Sequence, residues 1–314
     1  MNNREEDVDP GAIRHSPAVA FLGPLGTYTH QAAYNRFSTS VTYEAKNSIA
    51  GVFESLSSTI PLAVIPKENS IFGSVVETYD QLRSKAVGST VFIRGEISLA
   101  VQHCLLVRKG IRLENVTRVL SHEQALGQCT QFLSEKLPNA KTVKMPSTAS
   151  AATALFEPEY GSTSAAICSK ICVNLFEGLE VLFEGVQNEK SNFTNFWVLA
   201  TSLDLPLPGT SSTKDSGRAI IRLASLTEAP DVLSTLASLG LFVNRIDRRP
   251  YAGDIPFRDI YFVEVSKHAD RVVNGIESSS KPIENGEIRW RDVVESAIRR
   301  IDSGKWEARM IGIW

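Results

Sequence analysis

Hydrophobic positions occur in short runs, each ending in a polar or glycine-rich turn that is followed by helical spacing. The first run, Ala18 to Leu22, leads through the turn 23–26 into helical spacing from Thr27 to Phe37. The pattern repeats with a run from Pro61 to Ile65 and helical spacing from Ser74 to Leu82. Buried strands that alternate with helices in this way predict a parallel sheet covered by helices.

The same alternation continues to about residue 200, so we predict an α/β fold for this part of the chain. The further predicted elements are a strand at 116–120, a helix at 123–137, a strand at 141–145, a helix at 149–156 and strands at 165–168 and 196–201.

A change of composition after about residue 203 suggests that the chain is divided into two domains. Residues 204–213 are rich in Pro, Gly, Ser and Thr, as linkers are. A chain of 314 residues is also long enough for two cores. We predict a disordered leader at 1–17, an α/β domain at 18–203, a linker at 204–216 and a second domain at 217–314.

The second domain has the pattern of a small sandwich. Strands are predicted at 219–223, 243–247, 260–265 and up to Trp314, with helices at 230–239 and 290–301. The order βαββαβ is typical of a ferredoxin-like fold. The polar segment from Ser266 to Gly286 is predicted to be a flexible insertion.

Composition narrows the class of partner. A net charge of -2 provides no basic surface for nucleic acid or an anionic membrane, so small molecules are the expected partners. The polar N-terminus and the lack of about 18 consecutive apolar residues favour a cytoplasmic protein. The four cysteines are predicted to be reduced and mostly buried, with Cys168 and Cys172 on one helix face.

Three turns place a strand end directly before a helix: residues 23–27, residues 68–70 with 73–74, and residues 147–148. Helix N-termini offer unpaired N–H groups and a partial positive charge, which suit a small anion. Ser, Thr and Asn are also ordinary helix caps, which is the alternative interpretation of any single turn. The three together favour a binding site.

Two further places carry candidate chemistry. At the start of the strand after Asn192, alternation places Thr194 and Phe196 on one face and Asn195 on the other, although an ordinary edge strand fits the same pattern. His122 follows a strand, where it can donate a hydrogen bond to a substrate oxygen or be a buried histidine with its partners satisfied. Neither metal-ligand spacing nor a Walker loop occurs, so cofactor-free chemistry is expected.

Five blocks of sequence, in order, resemble the prephenate dehydratase family over about Ala18 to Thr201. The blocks are Phe21 to Thr29, Pro66 to Thr78, Gly95 to Ile97, Ser121 to Cys129 and Ser147 to Ala152. The resemblance implies a periplasmic-binding-protein-like fold with two α/β lobes and a cleft between them. The chain is expected to cross between the lobes near 96–102 and to return near 184–194.

The resemblance also implies an activity and a set of site residues. Family members convert prephenate to phenylpyruvate by losing the ring hydroxyl and the ring carboxylate, without a cofactor. The residues at the positions implied to be catalytic are Thr194, Glu68, Asn69, Ser70, Ser121 and His122. Substrate contacts are implied for Gly26, Thr27, Tyr28, Gly73, Ser74, Gln124, Ser147, Thr148, Ala149, Asn195 and Phe196.

The chain departs from the family at its Thr-Arg-Phe triplet, because Asn195 stands where the family has arginine. An arginine can hold a carboxylate through two hydrogen bonds, and asparagine lacks the charge. Lys67 or Lys190 is a candidate replacement cation in substrate binding. The alternative for Lys67 is a plain surface lysine.

The C-terminal domain resembles the ACT domain, which often binds phenylalanine as a feedback inhibitor in this family. Its regulatory motifs correspond here to Asp247, Arg249 and Pro250, and to Asp231 and Val232. Asp231 replaces a glycine and adds a carboxylate, which argues against phenylalanine binding. A homodimer or homotetramer is expected.

Three functions remain open at this point. The first is prephenate dehydratase activity in phenylalanine biosynthesis. The second is a repurposed enzyme: a prephenate decarboxylase, an arogenate dehydratase, or a secondary-metabolite enzyme acting on a related cyclic or diene acid. The third is a non-catalytic small-molecule sensor.

Overall fold

The computed structural model describes residues 16–209, 217–228, 230–251, 256–267, 289–301 and 303–314. The predicted leader before Ser16, the predicted linker after Gly209 and the predicted insertion after Lys267 lie outside the described residues. The described strands form one ten-stranded sheet and one five-stranded sheet.

The strands are, in chain order, β1 (Ala18–Leu22), β2 (Thr42–Lys46), β3 (Leu62–Asn69), β4 (Gly73–Ser74), β5 (Phe92–Ala100), β6 (Cys104–Arg108), β7 (Arg118–Ser121), β8 (Lys141–Lys144), β9 (Ser164–Cys168), β10 (Leu179–Glu184), β11 (Phe193–Ala200), β12 (Arg218–Ser225), β13 (Phe242–Pro250), β14 (Asp259–Ser266) and β15 (Trp306–Ile313). The α-helices are α1 (Tyr28–Phe37), α2 (Ile49–Ser55), α3 (Val76–Gln81), α4 (Glu123–Gln128), α5 (Thr130–Lys136), α6 (Thr148–Ala154), α7 (Ile171–Leu175), α8 (Val232–Leu239) and α9 (Trp290–Ile298). Short 3₁₀ turns cover Ser38–Ser40 and Leu113–Asn115.

The first lobe uses strands in the order β5-β11-β3-β1-β2. β1 runs parallel to β2 and to β3, which confirms the predicted strand and helix alternation at the start of the chain. β11 is antiparallel to both β3 and β5, so the sheet is mixed rather than wholly parallel. Because β11 returns from the second lobe, it enters the sheet at the edge where β1 and β3 end.

The second lobe is the five-stranded sheet, in the order β10-β6-β9-β7-β8. Residues 101–103 carry the chain from β5 into it, and residues 185–192 carry the chain back to β11. Two crossings between two α/β sheets are what the two-lobed prediction requires. The helix predicted over 123–137 is two helices, because Cys129, at φ -117° and ψ 17°, leaves the helical conformation.

The C-terminal residues have the order β12-α8-β13-β14-α9-β15, which is the predicted βαββαβ arrangement. Their sheet continues the first lobe, because β15 pairs with the edge strand β5 through Gly312 and Ile93. A Cβ on Gly312 would lie 2.5 Å from the Cβ of Ile93, so glycine permits this close approach. The sheet of the C-terminal residues is therefore continuous with the sheet of the first lobe.

A shared apolar core also joins the C-terminal part to the first lobe. The ring of Tyr79 in α3 contacts Trp197 of β11 at 5.4 Å and Phe262 of β14 at 5.7 Å between centroids. All three side chains are buried, together with Ile220 and Ile260. The C-terminal strands thus cover one face of the strands that carry the candidate site.

Candidate active site

Asn69 and Thr194 form the centre of the candidate site, at the end of β3 and the start of β11. The Asn69 side-chain amide donates to Thr194 Oγ1 at 3.0 Å and to Asn192 Oδ1 at 2.7 Å. Its carbonyl oxygen accepts from the main-chain N–H groups of Ile71 and Phe72 at 2.9 and 3.2 Å. These bonds fix which end of the Asn69 amide faces Thr194. Thr194 Oγ1 therefore accepts from Asn69, and its own proton, which has no acceptor among the described residues, is available to a ligand.

Ser70 links the turn after β3 to the start of β11 through hydrogen bonds. Its N–H donates to the Phe193 carbonyl at 2.8 Å, and its hydroxyl accepts from the Phe193 N–H at 2.9 Å and donates to the Ser191 carbonyl at 3.0 Å. The hydroxyl thus bonds main-chain groups on both sides, so its geometry supports the position of Thr194. Gly73 and Ser74 follow as strand β4, paired with β3, and α3 begins later, at Val76. The helix predicted from Ser74 to Leu82 is present, but it begins two residues later than predicted, after β4.

Asn195 lies on the opposite face of β11 from Thr194, as the alternation predicts. Its amide donates to Glu68 Oε1 at 3.0 Å. It lines a cavity of about 620 Å³ together with Glu96, Ser98, Arg218 and Trp314. Phe196 returns to the Thr194 face, where it is buried in the core beneath α1. The structure therefore brings neither Asn195 nor the Phe196 ring to the Thr194 hydroxyl.

Lys67 is buried, only 2% exposed, and the interpretation as a surface lysine is wrong. Its Nζ lies 2.7 Å from Glu264 Oε1, 3.0 Å from Glu96 Oε1 and 3.7 Å from Glu68 Oε1. The ammonium group also lies 5.3 Å from the centre of the Trp197 ring. Three carboxylates already surround this charge on the face away from Thr194. The structure therefore does not place Lys67 where it would hold a substrate carboxylate beside Thr194.

Glu68 shares this face of the sheet and is held as a carboxylate. Burial alone would raise its pKa, but hydrogen bonds from Asn195 and Arg245 and the charge of Lys67 outweigh burial and lower it. Glu68 is therefore ionised at neutral pH and has no proton to donate there. Its predicted catalytic role is not supported by a contact with Thr194, which lies on the other face.

The first turn lies between the lobes. Thr27 caps α1 by accepting from the His30 N–H at 3.3 Å. Gly26 has φ +92°, and a Cβ there would lie 2.9 Å from Cys172 Sγ and 3.3 Å from the Ala149 Cβ. A glycine is thus required both by the backbone and by the close approach of the second lobe. Two of the three predicted turns, those at Gly26 and Ala149, meet across the lobes.

A polar chain at the crossing between the lobes was missed in the sequence. The Tyr28 hydroxyl lies 2.6 Å from His103 Nδ1, and His103 Nε2 lies 2.7 Å from Gln128 Oε1. Burial lowers the pKa of His103, while the bond to Gln128 raises it in part. The histidine is therefore neutral at neutral pH. No local motif marks it, because its partners come from α1 and α4.

The remaining residues predicted from the second lobe have local structural roles. The Ser121 hydroxyl is buried and donates to the Ile167 carbonyl at 2.5 Å. His122 caps α4 by accepting from the N–H of Gln124, whose side chain is exposed. Ser147 caps α6, before Thr148, in a reciprocal capping box with Ser150. Their predicted catalytic or binding roles stay predictions.

The residues predicted to be regulatory fall into two places. Asp231 is exposed and caps α8 by accepting from the Ser234 N–H at 3.0 Å, directly before Val232. In β13, Arg249 pairs with Asp80 of α3 at 2.8 Å, and the Pro250 carbonyl accepts from Arg83 at 3.1 Å. Asp247 accepts from the Ser74 hydroxyl at 2.9 Å. The β13 residues therefore contact the first lobe.

All four cysteines are free and buried, as predicted. Cys168 ends β9 while Cys172 lies in α7, so the prediction that they share a helix face is wrong. Their thiols do hydrogen-bond, and this bond together with burial raises the pKa of Cys168. No group of three His, Cys, Asp or Glu side chains with metal-binding geometry occurs within the described ranges. No helix of those ranges is long and apolar enough to cross a membrane.

Comparison with known proteins gives a family match over the first two thirds of the chain. The family model for prephenate dehydratase matches residues 19–203. A bifunctional chorismate mutase/prephenate dehydratase of Stutzerimonas stutzeri is 30% identical over 271 residues, covering 84% of this chain and 70% of the relative.

Two solved structures share the fold. A prephenate dehydratase of Arthrobacter aurescens in complex with L-Phe has a TM-score of 0.68 at 24% identity, covering 94% of this chain and 89% of that one. A quorum quenching acylase, GqqA, has a TM-score of 0.69 at 21% identity, covering 94% of this chain and 97% of that one. The two-lobed scaffold thus carries more than one chemistry, and the side chains must decide the function.

Proposed function

Because this chain belongs to the prephenate dehydratase family, we propose that it converts prephenate to phenylpyruvate in phenylalanine biosynthesis. One observation carries the proposal. Thr194 Oγ1 accepts a hydrogen bond from the Asn69 amide, so that its proton can be donated to a substrate oxygen. A dehydratase needs such a donor at the departing hydroxyl.

The chemistry needs little from the protein beyond position and one donor. The bond between the ring and its carboxylate breaks to give carbon dioxide, and its electrons make the ring aromatic. The ring hydroxyl leaves, and with one proton taken up it becomes water. Aromatisation drives the reaction, so a fixed hydrogen-bond donor at the leaving oxygen is the main catalytic requirement.

Thr194 fits this requirement better than an acidic side chain. A carboxyl group with a lowered pKa, such as Glu68, has lost its proton at neutral pH. The Thr194 hydroxyl keeps its proton and is oriented by an amide that four hydrogen bonds to protein groups hold in place. We assign Thr194 as the donor and Asn69 as the residue that orients it.

The substrate carboxylates require a site between the lobes. The helix α1, of ten residues, begins just after Gly26, the residue that approaches Ala149 of the second lobe. Helix N-termini favour anions. This is consistent with the predicted contacts at Gly26, Thr27 and Tyr28.

We further propose that residues 217–314 act as an ACT-like regulatory or dimerisation domain in a homodimer or homotetramer. Phenylalanine is the effector to test first, because L-Phe is bound by the Arthrobacter aurescens protein of the same fold. The negative charge of Asp231 would repel the carboxylate of an amino acid, so we expect phenylalanine to bind weakly. We place the enzyme in the cytoplasm, where its four free cysteines would stay reduced.

A product assay tests the proposal directly. The purified chain is incubated with prephenate, and in parallel with arogenate, and the products are resolved by chromatography against the spontaneous reaction. Phenylpyruvate formed from prephenate above the spontaneous rate supports the proposal. Turnover of arogenate alone, a non-aromatic decarboxylated product, or binding without turnover would each replace it with one of the other functions considered above.

The Asn195→Arg variant tests whether position 195 holds the substrate. We expect KM for prephenate to stay nearly unchanged, because the side chain faces Glu68 and Glu96 rather than Thr194. A direct contact between the new arginine and a substrate carboxylate would lower KM by about tenfold or more, since one charge-assisted hydrogen bond contributes roughly 1.5–3 kcal/mol. The control is Asn195→Met, which also lengthens the side chain but adds no charge. Steady-state kinetics of the two variants separate the two results.

A further inference from the structure

Glu68 is held from two sides, by a residue of the first lobe and by one of the C-terminal part. Asn195 donates to one carboxylate oxygen at 3.0 Å, and Arg245 of β13 donates to the other. Arg245 also bonds Asp247 at 2.5 Å and the Ser74 hydroxyl at 2.8 Å. Ser74 in turn donates to Asp247 at 2.9 Å, which closes a ring of polar side chains around the guanidinium.

An irregularity in β3 explains why Glu68 points toward the C-terminal part. Asn195 pairs with Glu68, but its neighbour Phe196 pairs with Pro66, so Lys67 is an extra residue in β3. Such a bulge turns two successive side chains to one face. Lys67 and Glu68 both contact C-terminal residues for this reason, while Asn69 returns to the face of Thr194.

Glu68 directly precedes Asn69, the residue that orients the candidate donor, and the bulge leaves the two side chains on opposite faces of β3. Glu68 and Asn69 are joined by one peptide bond, and a peptide unit moves as a plane. A shift of Glu68 would move the Asn69 side chain relative to Thr194. Misplacement of a catalytic group by about 1 Å can lower the rate by about 100-fold.

We infer that Arg245 is a positioning residue that acts through Glu68 to keep Asn69 in register with Thr194. The C-terminal part thereby takes part in building the site without touching substrate. This inference rests on the proposed function, because the positioned donor is the one assigned to the dehydration. Arg245 and Glu68 are both partly buried, at 27% and 20% side-chain exposure, so the contact is shielded from competing water.

The alternative is that Arg245 only adds stability at the contact between the two parts. Arg248 provides the matched control, because it lies on the same strand and pairs with Asp259 at 3.3 Å while 68% exposed. We expect Arg245→Gln to lower kcat for prephenate by about 10- to 100-fold with KM within about twofold. Arg248→Gln should leave both constants unchanged.

A double-mutant cycle with Glu68→Gln distinguishes positioning from general stability. If Arg245 acts through Glu68, the loss caused by Arg245→Gln is absent in the Glu68→Gln background. An equal loss in both backgrounds, or a kcat for Arg245→Gln within about twofold of the parent, overturns the inference. Should Arg245→Gln fail to fold, Arg245→Lys replaces it, with a smaller loss of kcat expected.

Hydrogen exchange tests the same inference without turnover. The amides of Ile71 and Phe72 donate to Asn69, and that of Ser70 donates to Phe193, so peptides over 69–74 report on the turn. We expect faster exchange there in Arg245→Gln and no change in Arg248→Gln. Unchanged exchange overturns the inference. A parent protein that makes no phenylpyruvate defeats the proposed function, and the exchange experiment then still decides whether Arg245 orders this turn.

Discussion

Replacing Thr194 by valine should lower kcat for prephenate by about 10²- to 10⁴-fold, the contribution typical of a positioned proton donor. Valine keeps the branched shape of threonine and removes only the hydroxyl that accepts from Asn69. KM should change little, because the lost interaction forms with the departing hydroxyl and strengthens as that group leaves. Steady-state measurement of phenylpyruvate formation gives both constants.

Two variants control this experiment. Thr194→Ser restores the hydroxyl and should recover most of the activity. Thr142→Val makes the same change on the exposed strand β8 and should have no effect. If kcat of Thr194→Val is within about threefold of the parent value, Thr194 is not the donor, because the usual contribution of such a group is far larger.

Replacing Lys67 by methionine should reduce the free energy of unfolding by about 3–5 kcal/mol, the usual effect of removing one partner of a buried ion pair. The ammonium group offsets three carboxylates, and Glu264 among them is 8% exposed. Methionine fills similar space but leaves those charges unpaired. Denaturant unfolding at pH 7 measures the loss. Lys46→Met, which removes a partly exposed pair with Glu44, should change stability by at most about 1 kcal/mol.

The Lys67→Met defect should shrink as the pH falls from 7 to about 5. Burial raises the pKa of Glu264 above its ordinary value of 4.5, and Lys67 partly opposes the rise. Without Lys67 the pKa of Glu264 rises further. A group with a raised folded-state pKa stabilises the fold below its unfolded value and loses that contribution as pH rises through the folded value. A constant difference from the parent across this range would show that Glu264 does not carry the effect.

The face assignments in β11 followed from the sequence, whereas the environment of Lys67 did not. Strict alternation was enough to place Thr194 and Asn195 on opposite faces, because side chains on a strand repeat every two residues. The ion pair of Lys67 could not be predicted in this way. Lys67 shares the face of Ala63 and Ile65, but its partner Glu264 is 197 positions further along the chain, so no local pattern indicates their contact.

In the candidate site, too, residues of a local turn could be predicted from the sequence, whereas contacts between distant elements could not. The turn at Asn69 and Ser70 was identified from local residues, and the structure supports it through bonds to neighbours at the start of β11. His103 and Arg245 were missed because each is defined by partners from distant elements. Helix α3 was predicted too early, because β4 pairs back onto β3 before the helix begins.

The pairing of Gly312 with Ile93 has a practical consequence for dissecting this chain. Removing the C-terminal residues would leave the start of β5, at Ile93, as an open sheet edge, and exposed edges invite association with other chains. The cut would also expose the buried side chains of Trp197 and Tyr79. It would leave the Lys67 ammonium group without its partner Glu264. Fragments ending near residue 203 or starting near 217 would therefore behave as aggregation-prone halves, and ligand titrations are better made on the intact chain.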